Sequence, residues 1–194
     1  VLFLCELDSK QHRDSIEQYL DRLMKQQKEH GGWGYANEPS GDTSQTQYAA
    51  LALWEANRCG FTIDATAAGK MIDWLLRVQD PDGGWGYQGI VGGADRSQEQ
   101  KSQLAQNPDQ LRPTMLAAGL SSVLLSADML GDMPNYDDAS ADEDLPETLR
   151  QRAGSQSAIR PTIYVEGFDQ SRLAPAIVAA TEWMDKNYSI EVDS

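Results

Sequence analysis

Cysteine is scarce: Cys5 and Cys59 are the only two in 194 residues. Two cysteines so far apart cannot form the dense framework that staples small secreted domains, so a disulfide-built fold is excluded and no redox compartment follows. Basic charge is also short, with sixteen Lys and Arg against thirty Asp and Glu and a formal net charge of -14. Such a surface repels phosphate backbones and anionic headgroups, which argues against nucleic acids and membrane surfaces as partners. No apolar run near the roughly 18 residues that a membrane-spanning helix needs is expected, and no basic, apolar leader opens the chain. Instead, Val1-Leu2-Phe3-Leu4-Cys5-Glu6-Leu7-Asp8 reads as the last turns of an apolar helix already under way, as expected of a piece of a longer chain. Hydrophobic residues make up 40% and aromatics 8%, enough to bury one sizeable core, so a disordered chain is excluded as well.

What is abundant is internal repetition. Gly31-Gly32-Trp33-Gly34-Tyr35 recurs 52 positions later as Gly83-Gly84-Trp85-Gly86-Tyr87, and the same shift carries Gln27 onto Gln79, Leu23 onto Leu75 and Asp21 onto Asp73. A match that extends beyond the pentapeptide marks a repeat architecture. Ahead of each glycine cluster the apolar residues fall at spacings of three and four: Ile16, Leu20, Leu23 and Met24, then Met71, Ile72, Leu75 and Leu76. After each cluster comes a more uniformly apolar helix. The first runs from Ser44 to Cys59 and stops at Gly60; the second starts on Pro113, a good first-turn residue, and stops at Gly131.

Each repeat is therefore a helix pair, and the fold class expected is all-α with no sheet beyond a short hairpin. The amphipathic helix, such as Asp64–Gln79, reads as an outer one with a wet face, and Ser44–Cys59 as an inner one covered on nearly all sides. Small residues along the inner helices, Ala49, Ala50, Ala52, Ala117, Ala118 and Gly119, would let neighbours approach closely. A third outer helix is expected over Ser171–Tyr188, where Trp183 matches Trp74 but Tyr188 stands in the place of Gln79. One incomplete domain spanning 1–194 results, with insertions at 88–111 and 132–168. The later insertion is acidic early on, where Asn135–Ala139 reads as a solvated loop, and it contains the extended-looking Thr162-Ile163-Tyr164-Val165.

Trp74-Leu75, three residues, Gln79, three residues, Gly83, one residue, Trp85 resembles the QW repeat of squalene and oxidosqualene cyclases. Gln27, Gly31 and Trp33 match its second half, with Arg22 in place of the aromatic, and the resemblance covers most of residues 9–131. It implies an α/α toroid of the terpenoid cyclase and protein prenyltransferase type. In that family the motif is structural, which implies that Gln27 and Gln79 satisfy backbone groups at a helix end. Trp33 and Trp85 would then pack over the turn that Gly31 and Gly83 permit. Tyr35 and Tyr87, each an apolar ring with a polar tip, are candidate binding residues.

The resemblance also says where chemistry would lie. The alkene-protonating Asp-x-Asp-Asp-Thr motif of squalene–hopene-type cyclases falls on Asp42-Thr43-Ser44-Gln45-Thr46, where only Asp42 and Thr46 match. Ser44 is far too weak an acid to protonate an alkene, which leaves Asp42 as a weak candidate for catalysis or binding and, more simply, as a helix cap. The second window, Gln110-Leu111-Arg112-Pro113-Thr114, has no carboxylate, and Asn135-Tyr136-Asp137-Asp138-Ala139 lies after an inner helix rather than before one. Prenyltransferases bind zinc through an Asp-x-Cys pair and a His, but Phe3 precedes Cys5 and Asn57 precedes Cys59 by two. His12 and His30 read as exposed helix and loop residues, and Cys59-Gly60-Phe61-Thr62 departs from the thioester motif of complement-like toroids.

No metal or cofactor is expected, therefore, and the first expectation is a non-catalytic repeat protein that binds a protein partner or an apolar small molecule. Two enzyme readings stand beside it. One is a squalene-type cyclase or prenyltransferase whose catalytic residues lie outside this segment; the other is a carbohydrate-active α/α-toroid enzyme. They separate on an Asp-x-Asp-Asp motif elsewhere in the chain and on paired carboxylates along an open groove, respectively.

Overall fold

The computed structural model describes residues 1–89, 113–131, 163 and 165–188. Within them the chain is mostly helical, as the periodicities require. The α-helices are α1 Leu2–Asp8, α2 Arg13–Lys25, α3 Thr43–Arg58, α4 Ala65–Val78, α5 Pro113–Leu130 and α6 Leu173–Asn187. A single 3₁₀ turn at Gln170–Arg172 leads into α6.

Helix ends fall where the local chemistry puts them. The Asp42 carboxylate accepts from Gln45 N–H to start α3, and that of Asp64 accepts from Thr66 N–H to start α4. Gly60 and Gly131, just beyond α3 and α5, take left-handed φ values of 83° and 74°. The only strand pairing among the described residues is antiparallel, β1 Gly41–Asp42 against β2 Gln88–Gly89. It joins segments 47 positions apart and is no hairpin, so the extended pieces leaving the two glycine clusters meet each other.

The core forms where α3 and α4 both lie on α5, the two most extensive helix–helix contacts. Leu53, Met71, Ile72, Trp74, Leu75, Leu116 and Val123 are buried there. Close approach depends on missing side chains, for a Cβ on Gly119 of α5 would lie 2.2 Å from the Trp85 ring. Ala49, Ala50 and Ala118 are buried as the small-residue pattern predicts, but Ala117 faces outward.

Three expectations are corrected. Helix α4, read as the one with a wet face, has eight of its 14 residues buried, whereas α3 has seven of 16 and leaves Tyr48 69% exposed. The cause is packing: α4 is covered by α5 on one face and by Val165 at Gly69 on another. Secondly, against the expectation that no apolar run nears the length of a membrane span, α5 is long and apolar enough by composition to cross one; 56% of it is buried inside this fold. Thirdly, the extended-looking end of the 132–168 insertion forms no strand at its described residues. Ile163 N–H bonds the Leu130 carbonyl at 2.8 Å, and Val165 and Phe168 are buried, because α4 and α5 leave apolar surface there to be covered. Neither Ile163 nor Val165 is in a strand. Most of 88–111, and the Asn135–Ala139 segment with the rest of its insertion, lie outside the described residues.

Candidate functional site

The two glycine clusters are built alike, bond for bond. Gln27 Nε2 donates to the Gly31 carbonyl at 2.8 Å and to the Ala67 carbonyl of α4 at 2.9 Å. Gln79 Nε2 donates to the Gly83 carbonyl at 3.0 Å and to the Ala176 carbonyl of α6 at 2.8 Å. Each indole then reaches back to the helix it follows: Trp33 Nε1–H to Leu23 O at 2.8 Å and Trp85 Nε1–H to Leu75 O at 2.9 Å. Those carbonyls lie in the last turn and also accept backbone N–H groups, Leu23 O from Gln26 and Leu75 O from Gln79, so each indole uses a second lone pair.

Gly31 and Gly83 sit at the crossing, with φ of 102° and 101°. An added Cβ would stand 2.0 Å from Lys70 O in the first case and 2.0 Å from Ala179 O in the second. Both the left-handed backbone and the close helix demand glycine there. Lys70 and Ala179 are 109 positions apart, as are Ala67 and Ala176, so the two loops touch corresponding points on α4 and α6.

The start of α3 then gathers both loops. Thr46 Oγ1 accepts from Trp33 N–H at 3.0 Å, and Asp42 N–H donates to Trp33 O at 2.7 Å. Thr43 donates twice to the second loop, from Oγ1 to Gly86 O at 2.7 Å and from N–H to Tyr87 O at 2.7 Å. Both threonines are fully buried. Thr43 carried no signal in the sequence beyond its place after Asp42, because its partners lie 43 and 44 residues away.

Asp42 is buried, but its carboxylate is engaged locally: Oδ1 accepts from Ser44 Oγ at 2.5 Å and from Gln45 N–H at 3.0 Å. Its backbone also pairs with Gln88. The geometry is that of a helix cap. Tyr35 and Tyr87, the candidate binding residues, are 62% and 41% exposed.

His30 is not the exposed loop residue expected. Its ring stacks on Trp74 with centroids 5.5 Å apart, and its Nδ1 accepts from Gly32 N–H at 3.1 Å. Burial first, and then the nearby charges of Lys28 and Arg77, hold its pKa below the ordinary 6.5. His12, half-buried at the start of α2, differs from expectation in the same sense. Lys28 was also missed; its ammonium donates to the carbonyls of Tyr35 at 2.8 Å, Ser40 at 3.0 Å and Glu38, pinning the 35–40 loop.

No group of three His, Cys, Asp or Glu among the described residues is placed to hold a metal ion. An open groove of about 390 Å³ runs along α2 and the 61–64 connection, floored by Leu20, Met24, Phe61 and Ile63. Arg13 and Asp21 stand at its rim, with the Arg13 guanidinium 4.8 Å from the Phe61 ring centroid. Compared with family models, with curated proteins and with solved structures, the chain finds no match.

Proposed function

We propose that this chain is a non-catalytic segment of an α/α toroid, built of squalene-cyclase-like helix-pair repeats, that works by binding a protein partner or an apolar ligand. The observation that carries the reading is the pair of matched Gln–Trp loops. In each, the Gln amide N–H groups and the indole N–H are spent on backbone carbonyls of the loop, of the helix before it and of α4 or α6. The only carboxylate at the family's catalytic position, Asp42, caps α3. A general acid has to reach the reacting carbon, and the Asp42 carboxylate is instead engaged locally by Ser44 and the Gln45 amide. Binding would use the groove along α2, whose apolar floor and mixed-charge rim fit an amphipathic segment better than a uniformly apolar molecule.

The test is incubation of the purified protein with squalene, and separately with a prenyl diphosphate, acceptor peptide and zinc, followed by mass spectrometry of the products. No product is expected from either. Turnover that disappears in Asp42→Asn would overturn the reading and make Asp42 the general acid.

A further inference from the structure

Helices α2 and α4 match at the shift of 52, so Leu20, Asp21 and Met24 correspond to Ile72, Asp73 and Leu76. On α4 this face is closed. Val165 packs against Gly69, where an added Cβ would stand 2.5 Å from it, and Ile72 and Leu76 are buried. Asp73 holds two cations, with Oδ2 2.8 Å from Arg77 Nε of its own helix and Oδ1 3.4 Å from Arg172 at the start of α6. On α2 the same face is open, and it forms one wall of the groove of about 390 Å³. Asp21 Oδ2 pairs at 2.5 Å with Lys25, the counterpart of Arg77, but nothing among the described residues takes the part of Arg172. The residue in its register is Ile63, 109 positions earlier, which belongs to the groove floor. The Asp21 side chain is accordingly 59% exposed and that of Asp73 only 27%.

We propose, resting on the binding role stated above, that the groove along α2 docks a basic, aliphatic segment of a partner protein. The segment lays an aliphatic side chain on Leu20, Met24, Phe61 and Ile63 and sets an arginine or lysine on Asp21 Oδ1, as Val165 and Arg172 do for α4. Charge decides between occupants. Three of the four charged residues lining the groove are acidic: Glu17, Asp21 and Asp64. The fourth, Arg13, is spent within the groove, 3.0 Å from Glu17 and over the Phe61 ring. Asp64 caps α4, so Asp21 is the carboxylate with an oxygen to offer. A second copy of this chain, with its net charge of -14, would be repelled by the same carboxylates, and a uniformly apolar ligand would gain nothing from Asp21. The match with α4 is not complete. Glu17 stands in the place of Gly69 and holds an incoming side chain farther from the helix backbone than Val165 lies.

The test is fluorescence anisotropy of the purified protein with short labelled peptides of equal length, built of valine with arginine, valine with glutamine or valine with glutamate. The arginine peptide should bind, more weakly as salt is raised, and the glutamate peptide should not. Asp21→Asn should weaken the arginine peptide about fivefold, the worth of one partly exposed ion pair. Met24→Gln should weaken it as well, with circular dichroism unchanged in both variants. Asp185→Asn, on the exposed side of α6 and outside the groove, should change nothing. Equal weakening by Asp185→Asn would reduce the effect to general attraction by an acidic protein and overturn the proposal. So would equal binding of the glutamine peptide, no binding of any peptide, or a concentration-dependent dimer that Ile63→Asp disperses, which would give the groove to a second copy. Product from squalene or a prenyl diphosphate overturns the non-catalytic reading whatever the peptides do, whereas lost peptide binding without product overturns only this assignment of the groove.

Discussion

The loops Gln27–Tyr35 and Gln79–Tyr87 follow one backbone plan with different supports. In the first, Trp33 is 4% exposed, Gln27 is half-buried, and neighbours from within the loop stiffen it: Lys28 gathers three carbonyls and His30 stacks on Trp74. In the second, the residues matching Lys28 and His30 are Asp80 and Asp82, joined by an Asp80 Oδ1 to Asp82 N–H bond of 2.9 Å. Its support comes instead from burial, with Trp85 fully covered and set against Gly119 of α5. One motif thus serves two surroundings, and the cost of damaging it should follow the surroundings rather than the motif.

The largest difference is expected from the indoles. Trp85→Ala should cost about 3–5 kcal/mol and Trp33→Ala about 3 kcal/mol, as truncations of large core side chains do. Urea unfolding midpoints measure both, and an equal or greater loss at Trp33 would break the comparison. The glycines should show no difference. Alanine at Gly31 or Gly83 meets a left-handed backbone and a helix carbonyl at the same 2.0 Å, so each change should cost about 2–4 kcal/mol. Unequal losses would show that the two crossings are not equivalent.

Smaller effects should separate the loops again. Gln79→Ala leaves buried carbonyls without their donor and should cost about 2 kcal/mol, while Gln27→Ala, where water can enter, should cost about 1 kcal/mol. Thermal melts of the two variants side by side would read this ordering. Acid should weaken only the first loop. The His30 pKa is held below 6.5 in the folded chain, so as pH falls below 6.5 the unfolded chain takes up a proton that the folded one resists. Stability present above 6.5 is then lost as pH falls through the folded value. Amide exchange at Gly32 should quicken from pH 7 to pH 5 relative to Gly84, and equal acceleration at both would remove His30 from the explanation.

Much of this plan is legible in the residue order. Asp42 and Asp64 ahead of helical patterns, Pro113 at a first turn, and Gly60 and Gly131 beyond the last turn foretell helix bounds to within a residue or two of those observed. Gln27, Trp33, Gln79 and Trp85 stand out in the residue order as positions repeated at a shift of 52. His30, Lys28 and Thr43 do not, since a histidine or lysine in a glycine-rich loop looks solvated until the surface that covers it is known. The candidate site was the least legible part. Tyr35 and Tyr87 stand out in sequence as amphipathic rings, yet both face outward, and the groove along α2 combines residues from α2 with a connection about 40 positions later.

By itself the sequence determined the helices, their caps, and the back-bonding of each indole to a carbonyl ten residues earlier, because all of these depend on spacings that a single helix and turn can span. Tertiary structure decided the long-range partners. Gln27 meets Ala67 and Gln79 meets Ala176, over 40 and 97 residues, and α4 rather than α3 has the larger buried share. The physical reason is that apolar periodicity fixes which face of a helix avoids water, while the identity of what covers that face is set by the packing of the whole chain.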